Sequence, residues 1–172
     1  MANIGVIGAG AWGTALACIS RRAGNNVALW ALESEVVDAV NAERRNPMYL
    51  PDITLDEGIM ATGNHAKAVN NSDLILSVVP SQFFRNIAQE IAQHIPASTP
   101  IVLCSKGIEN NTGALMTEIA EEFFPALPIL VLAGPSFARE TVAGTPTAVA
   151  VAGDDAALCQ KITEMISTSH FR

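Results

Sequence analysis

Short, nearly unbroken apolar runs alternate along this chain with longer stretches in which apolar residues recur every three or four positions. Residues 3–7, 27–30, 74–79, 101–104, 129–133 and 147–152 are of the first kind. Apolar side chains at successive positions are what a strand buried on both faces requires. Helical spacing is carried by Trp12, Ala15, Leu16, Ile19 and Ala23, and more briefly by Val36, Val37 and Val40. It returns in Phe84, Ile87, Ala88, Ile91 and Ile95, then from about Thr112 in Leu115, Met116, Ile119, Ala120 and Phe123. Leu158, Ile162, Met165 and Ile166 carry it last. The punctuation agrees: Gly24 reads as a residue just past a helix end, Ser81 as a helix cap, Pro96 as a stop, and Asp154 or Asp155 as a further cap. Residues 59–62 and 66–69 add a short strand and a short helix. Residues 41–58, with Arg44-Arg45, Pro47 and Pro51, keep no period and read as an irregular excursion at a sheet edge. Strand and helix in strict alternation predict an α/β fold, a doubly wound, mostly parallel sheet with helices on both faces.

Where strands hand over to helices, the residue types point to chemistry. Asn3-Ile4-Gly5-Val6-Ile7 turns through Gly8, Gly10 and Gly13 into the first helix. Gly8 suits a tight turn, Gly10 removes the Cβ that would keep a diphosphate from the backbone, and Gly13 suits close helix–strand packing. A helix N-terminus behind such a turn offers free amides and a favourable dipole to an anion. The end of the second run reads Ala31-Leu32-Glu33, and Glu33 either holds ribose hydroxyls or merely opens the next helix. Two further strand ends carry Ser105-Lys106-Gly107 and Gly134-Pro135-Ser136-Phe137-Ala138-Arg139-Glu140, at the carboxyl edge where open α/β sheets bind ligands. Each has a plainer reading. Lys106 could be a solvated surface lysine, Ser136 a helix cap, and Trp12 a packing residue as well as a cofactor wall. His65, His94 and His170 lack metal-ligand spacing and read as surface or capping residues.

Composition narrows the classes. A length of 172 residues suits one domain, residues 1–172. Although 49% of residues are hydrophobic, no apolar run approaches the ~18 residues of a membrane helix. No basic region precedes a long apolar segment at the start, so a cytoplasmic protein is expected. Cys18, Cys104 and Cys159 lie far apart among apolar neighbours, as reduced packing thiols do. A formal net charge of -7 argues against nucleic acid, so an anionic ligand would have to be held by backbone amides and a few placed cations.

The ordered motifs Gly-Ala-Gly-Ala-Trp-Gly-Thr-Ala-Leu-Ala at 8–17, Val-Pro-Ser at 79–81, Ser-Lys-Gly-Ile-Glu at 105–109 and Ala-Gly-Pro-Ser-Phe-Ala-Arg-Glu at 133–140 resemble those of bacterial NAD(P)-dependent glycerol-3-phosphate dehydrogenases. Tyr49-Leu50-Pro51 and Thr145-Pro146-Thr147-Ala148 fall where that family has similar segments. The resemblance implies NAD or NADP as cofactor and a small phosphate-ester substrate, dihydroxyacetone phosphate interconverted with sn-glycerol 3-phosphate, feeding glycerophospholipid synthesis. It places Gly8, Gly10, Ala11, Trp12, Gly13, Leu32, Lys106 and Ala138 at the cofactor, and Lys106, Gly134 and Ser136 at the substrate. Gly134 would let substrate lie against the main chain. It also implies an N-terminal portion: the family's helical domain, with its proton-transfer lysine, would lie beyond residue 172, so these residues alone should bind cofactor but hardly turn over. A homodimer is compatible with the full-length enzyme. One position departs. Where the family commonly has a basic residue to hold the NADP 2′-phosphate, this chain has Leu32, leaving Arg44 or Arg45 as substitutes. The competing class is an NAD(H)-sensing regulatory domain, which would need the glycine turn but not Lys106 and the Gly134–Ser136 turn. A dehydrogenase of another small hydroxy or keto substrate is the nearer alternative.

Overall fold

Each of the six long apolar runs forms a strand of one sheet in the computed structural model, which describes residues 1–172. In chain order, β1 (Asn3–Ile7), α1 (Ala11–Arg22), β2 (Asn26–Trp30) and α2 (Ser34–Glu43) are followed by a hairpin of β3 (Arg45–Asn46) and β4 (Leu50–Thr54). Then come β5 (Ile59–Thr62), α3 (His65–Val69), β6 (Leu74–Ser77), α4 (Ser81–Ile91) with a 3-10 turn at Ala92–His94, and β7 (Ile101–Leu103). The remainder is α5 (Met116–Phe123), β8 (Ile129–Ala133), α6 (Ala138–Val142), β9 (Ala150–Ala152) and α7 (Ala156–Ile166).

The seven-stranded sheet has the order β5-β2-β1-β6-β7-β8-β9. All pairs are parallel except β8 with β9. The chain winds outward from β1 to β5, then returns to pair β6 on the other side of β1, so the winding reverses between β1 and β6. In doubly wound sheets ligands bind at the carboxyl side of that reversal.

Strand pleating explains the unbroken apolar runs. Ile4 and Val6 enter one core with Leu74, Leu76, Val102 and Leu130 under α1, α2 and α7, while Ile7, Ile75, Ile101 and Leu103 enter the other with α3, α4 and α5. Successive residues thus face opposite helical layers. Each such aliphatic side chain contributes about 1.5–3 kcal/mol of transfer free energy, opposed by chain entropy.

Several expectations are corrected. Residues 45–54 are an antiparallel hairpin, with Leu50 and Leu55 buried in the larger core, and not an irregular excursion. The α1 pattern suggested one apolar face, yet every residue from Gly13 to Ser20 is buried, because α6 and α7 cover the side away from the sheet. Ser81 is the first residue of α4 and makes no capping bond, since Pro80 occupies the cap. Likewise Phe137, not Ser136, is the cap residue of α6. α5 begins at Met116 rather than near Thr112, because Gly113, at φ +71°, turns the chain and the Glu109 N–H donates to the Ala114 carbonyl. Asp155 caps α7 through the amides of Ala157 and Leu158, and Gly24 follows α1 at φ +89°. His65 is half-buried rather than free on the surface. It stacks on Trp30 with ring centroids 4.4 Å apart and reaches Glu90 at 3.2 Å. Cys18 and Cys104 are buried free thiols, pushed up to about 12 by desolvation, whereas Cys159 is only half-buried. No helix is long and apolar enough to cross a membrane.

Candidate functional site

The three glycines of the first turn are required for three different reasons. Gly8 has φ +113°, a conformation that side chains disfavour, and a Cβ there would meet the Val78 carbonyl at 3.0 Å. At Gly13 a Cβ would lie 1.8 Å from the Gly8 carbonyl oxygen, so α1 could not sit against the turn. Gly10 differs from both. Its φ of -62° suits any residue, and a Cβ there would meet nothing within 4 Å. Neither strain nor packing asks for glycine at that point, so the open space above it is what the small residue preserves. As N-cap of α1, Gly10 also leaves the first-turn amides without a side-chain partner. A cradle that a Cβ would fill, at a helix N-terminus, fits the diphosphate of a dinucleotide.

The turn is fastened by a residue that sequence reasoning missed. Asn46, fully buried on β3, donates through Nδ2 to the Ala9 carbonyl and to Thr14 Oγ1, both at 2.8 Å. Thr14 Oγ1 itself donates to Ala9 at 3.1 Å, and the Tyr49 N–H donates to Asn46 Oδ1. An asparagine before a proline signals only a local turn, and no local pattern reports a bond across 37 residues. Phe171 was missed as well. Buried to 1% exposure, it packs 6.5 Å from Trp12, centroid to centroid, and steadies that half-buried indole.

Two clefts open on either side of the α1 N-terminus. One, of about 290 Å³, is lined by Ala11, Trp12, Lys106, Gly134, Ser136 and Ala138 together with Cys104, Leu132 and Ala133. Six predicted site residues from three strand ends therefore share one cavity. Gly134 borders it for another reason than expected. A Cβ there would press on the Ala148 carbonyl and Val149 Cα, both at 2.9 Å, so the glycine is demanded by packing under the cleft. The second cleft, about 300 Å³, runs between Ala11, Ala138 and the hairpin residues Tyr49 to Ile53. Its rim is bridged by the exposed Arg139–Asp52 ion pair. A larger cavity of about 630 Å³, between Pro128, Glu121, Asp154 and Asp155, opens at the amino end of β8, the wrong edge for ligand binding in this sheet, and is lined by carboxylates without a cation.

At the end of β2, Leu32 is 77% exposed. Glu33 occupies the cap position of α2 but makes no capping bond. Its carboxylate instead accepts from the Tyr49 hydroxyl at 2.8 Å, which pushes the Tyr49 phenol up. Lys106 is exposed at the cleft mouth and joins none of the chain's ion pairs. Close behind it, Glu109 is held below the ordinary carboxylate range, first by the Arg85 guanidinium and then by the Thr112 hydroxyl.

A parallel sheet reversing beside a glycine turn, with a helix N-terminus aimed over it, defines a Rossmann-type α/β domain. The family model described as the N-terminus of NAD-dependent glycerol-3-phosphate dehydrogenase matches residues 3–159, and the chain belongs to that family. It is 47% identical over 170 residues to glycerol-3-phosphate dehydrogenase (NAD(P)+) of Brucella ovis, covering 99% of this chain and 52% of that protein. The Rhodospirillum rubrum protein of the same name is 45% identical over 99% of the chain and 49% of its own length. Among solved structures, glycerol-3-phosphate dehydrogenase from Coxiella burnetii superposes with a TM-score of 0.92 at 34% identity, over 99% of this chain and 52% of that one. The chain spans about half the length of the curated relatives it matches.

Proposed function

We propose that these residues form the cofactor-binding part of a cytoplasmic NAD(P)-dependent glycerol-3-phosphate dehydrogenase, interconverting dihydroxyacetone phosphate and sn-glycerol 3-phosphate. The observation that carries this reading is the single 290 Å³ cleft that gathers Ala11, Trp12, Lys106, Gly134, Ser136 and Ala138 beside the open space above Gly10. A nicotinamide cofactor supplies the hydride when bound. Gly8, Gly10 and Gly13 with the first-turn amides of α1 would hold its diphosphate, and Trp12 and Ala138 would line the pocket beside it. The Lys106 ammonium reaches the cleft where negative charge grows on the ketone oxygen, and a fixed cation there lowers the barrier electrostatically. Ser136 donates to a second substrate oxygen. We assign the proton that completes the alcohol to the half of the relatives' length that this chain does not span.

Calorimetric titration with NADH and NADPH in parallel tests the cofactor reading. Micromolar binding that is lost in Gly10→Arg supports it, and no heat with either nucleotide overturns it. Tight NADPH with weak NADH would show that Arg44 or Arg45 has taken over phosphate recognition from Leu32. Cofactor binding without turnover of dihydroxyacetone phosphate by the full-length protein would favour a sensor instead.

A further inference from the structure

We infer that Gln82 and Arg85, on α4, are positioning residues that aim Lys106 into the cleft by fastening the backbone of the segment that carries it. The inference rests on the role proposed above for Lys106. Residues 104–115 join β7 to α5 with no helix or strand, their one internal pairing being an antiparallel bridge between Ile108 and Leu115, and a connection this long drifts unless something ties it to the rest of the fold. Lys106 cannot anchor itself. It is exposed, has four rotatable bonds and takes part in none of the chain's ion pairs, so the region its ammonium can reach is set by where its backbone is held.

That backbone is gripped on both sides by α4 and the residues leading into it. The Ser105 hydroxyl donates to the Val79 carbonyl. Gly107 turns at φ +122° so close to Ser81 that a Cβ would lie 2.9 Å from its Oγ. Gln82 acts as a substitute strand neighbour: its Nε2 donates to the Ile108 carbonyl at 2.8 Å, and its Oε1 accepts from the Asn110 N–H at 2.9 Å. One turn of helix later, Arg85 donates Nε to Glu109 Oε1 at 2.9 Å and Nη2 to Oε2 at 3.1 Å, while Nη1 reaches Glu122 of α5 at 2.6 Å. Glu109 passes the restraint on, accepting from Thr112 through its side chain and from the Gly113 N–H through its carbonyl. Three residues beyond Lys106, the segment is therefore pinned to α4 through a forked, charge-assisted contact.

The test is a double-mutant cycle in the full-length enzyme, with Gln82→Ala, Arg85→Met and Lys106→Ala singly and paired, read as kcat/KM for dihydroxyacetone phosphate. Misplacing a reacting group by about 1 Å costs on the order of 100-fold. Gln82→Ala and Arg85→Met should each lower kcat/KM by about 10- to 100-fold, and Arg85→Lys, which keeps the charge but loses the fork, should lose less. In the Lys106→Ala background the same changes should have no further effect, because there is no ammonium left to aim. Losses that multiply in that background, or wild-type kcat/KM in folded single variants, would overturn the inference and leave the role of Lys106 standing. If Lys106→Ala alone keeps wild-type kcat/KM, the role of Lys106 and this inference fall together. Should Gln82→Ala fail to fold, Gln82→Glu, which keeps the acceptor for Asn110 and loses the donor to Ile108, takes its place.

Discussion

The turn between β1 and α1 and the segment between β7 and α5 both deliver groups to the same cleft, but they are built by opposite means. The first is shaped by what is missing. Side chains are excluded at Gly8 by backbone conformation and at Gly13 by contact with the Gly8 carbonyl, and Gly10 leaves space that no protein atom uses. The second is shaped by what has been added. The segment that carries an exposed lysine is held, at the residues after it, by hydrogen bonds and an ion pair from a helix more than twenty residues earlier. A steric constraint within six residues is rigid and local. A polar network is adjustable, and its strength depends on every partner being present.

Substitutions should separate the two constructions. Gly13→Ala breaks the first outright: with a Cβ 1.8 Å from a carbonyl oxygen, α1 must shift, and we expect at least the ~3 kcal/mol of severe overpacking in urea denaturation. Asn46→Ala loosens the turn without a clash. It strips the buried Ala9 carbonyl and Thr14 hydroxyl of a donor, at a cost of ~1–3 kcal/mol, and weakens NADH binding in the same preparation. Gly10→Ala sharpens the contrast, since stability should change by less than ~1 kcal/mol while NADH affinity falls at least tenfold by calorimetry. If stability collapses instead, Gly10 belongs with Gly13 as a packing glycine.

The polar segment should give a smaller, pH-dependent signal. The Glu109 carboxyl is held below its ordinary value of 4.5 in the folded chain, so its stabilising contribution is present above that value and is lost as the pH falls through the lower, folded one. The Tm difference between wild type and Glu109→Gln should therefore be steady near neutrality and shrink below about pH 4.5. A difference that persists unchanged into stronger acid would remove the Arg85–Glu109 pair as its source.

Much of this architecture was legible because its causes are local. A strand buried on both faces must be apolar at every position, and a glycine turn must place small residues a few positions apart, so the sheet, most of its helices and the Gly8–Gly13 cradle could be read from spacing alone. Lys106, Ser136 and Ala138 were legible as residues at strand ends, and the fold brings them to one cavity. What lay beyond the sequence depends on partners distant along the chain. Asn46 bonding Ala9, Phe171 bracing Trp12, Tyr49 taking the Glu33 carboxylate and Gly134 making room for Val149 all join residues that no periodicity relates. The sequence by itself determined which segments form strands and helices and which strand ends bear the chemistry, since burial and turn geometry act over a few residues. Only the tertiary structure decided how the functional groups are held, because a hydrogen bond between two loops leaves no period in either.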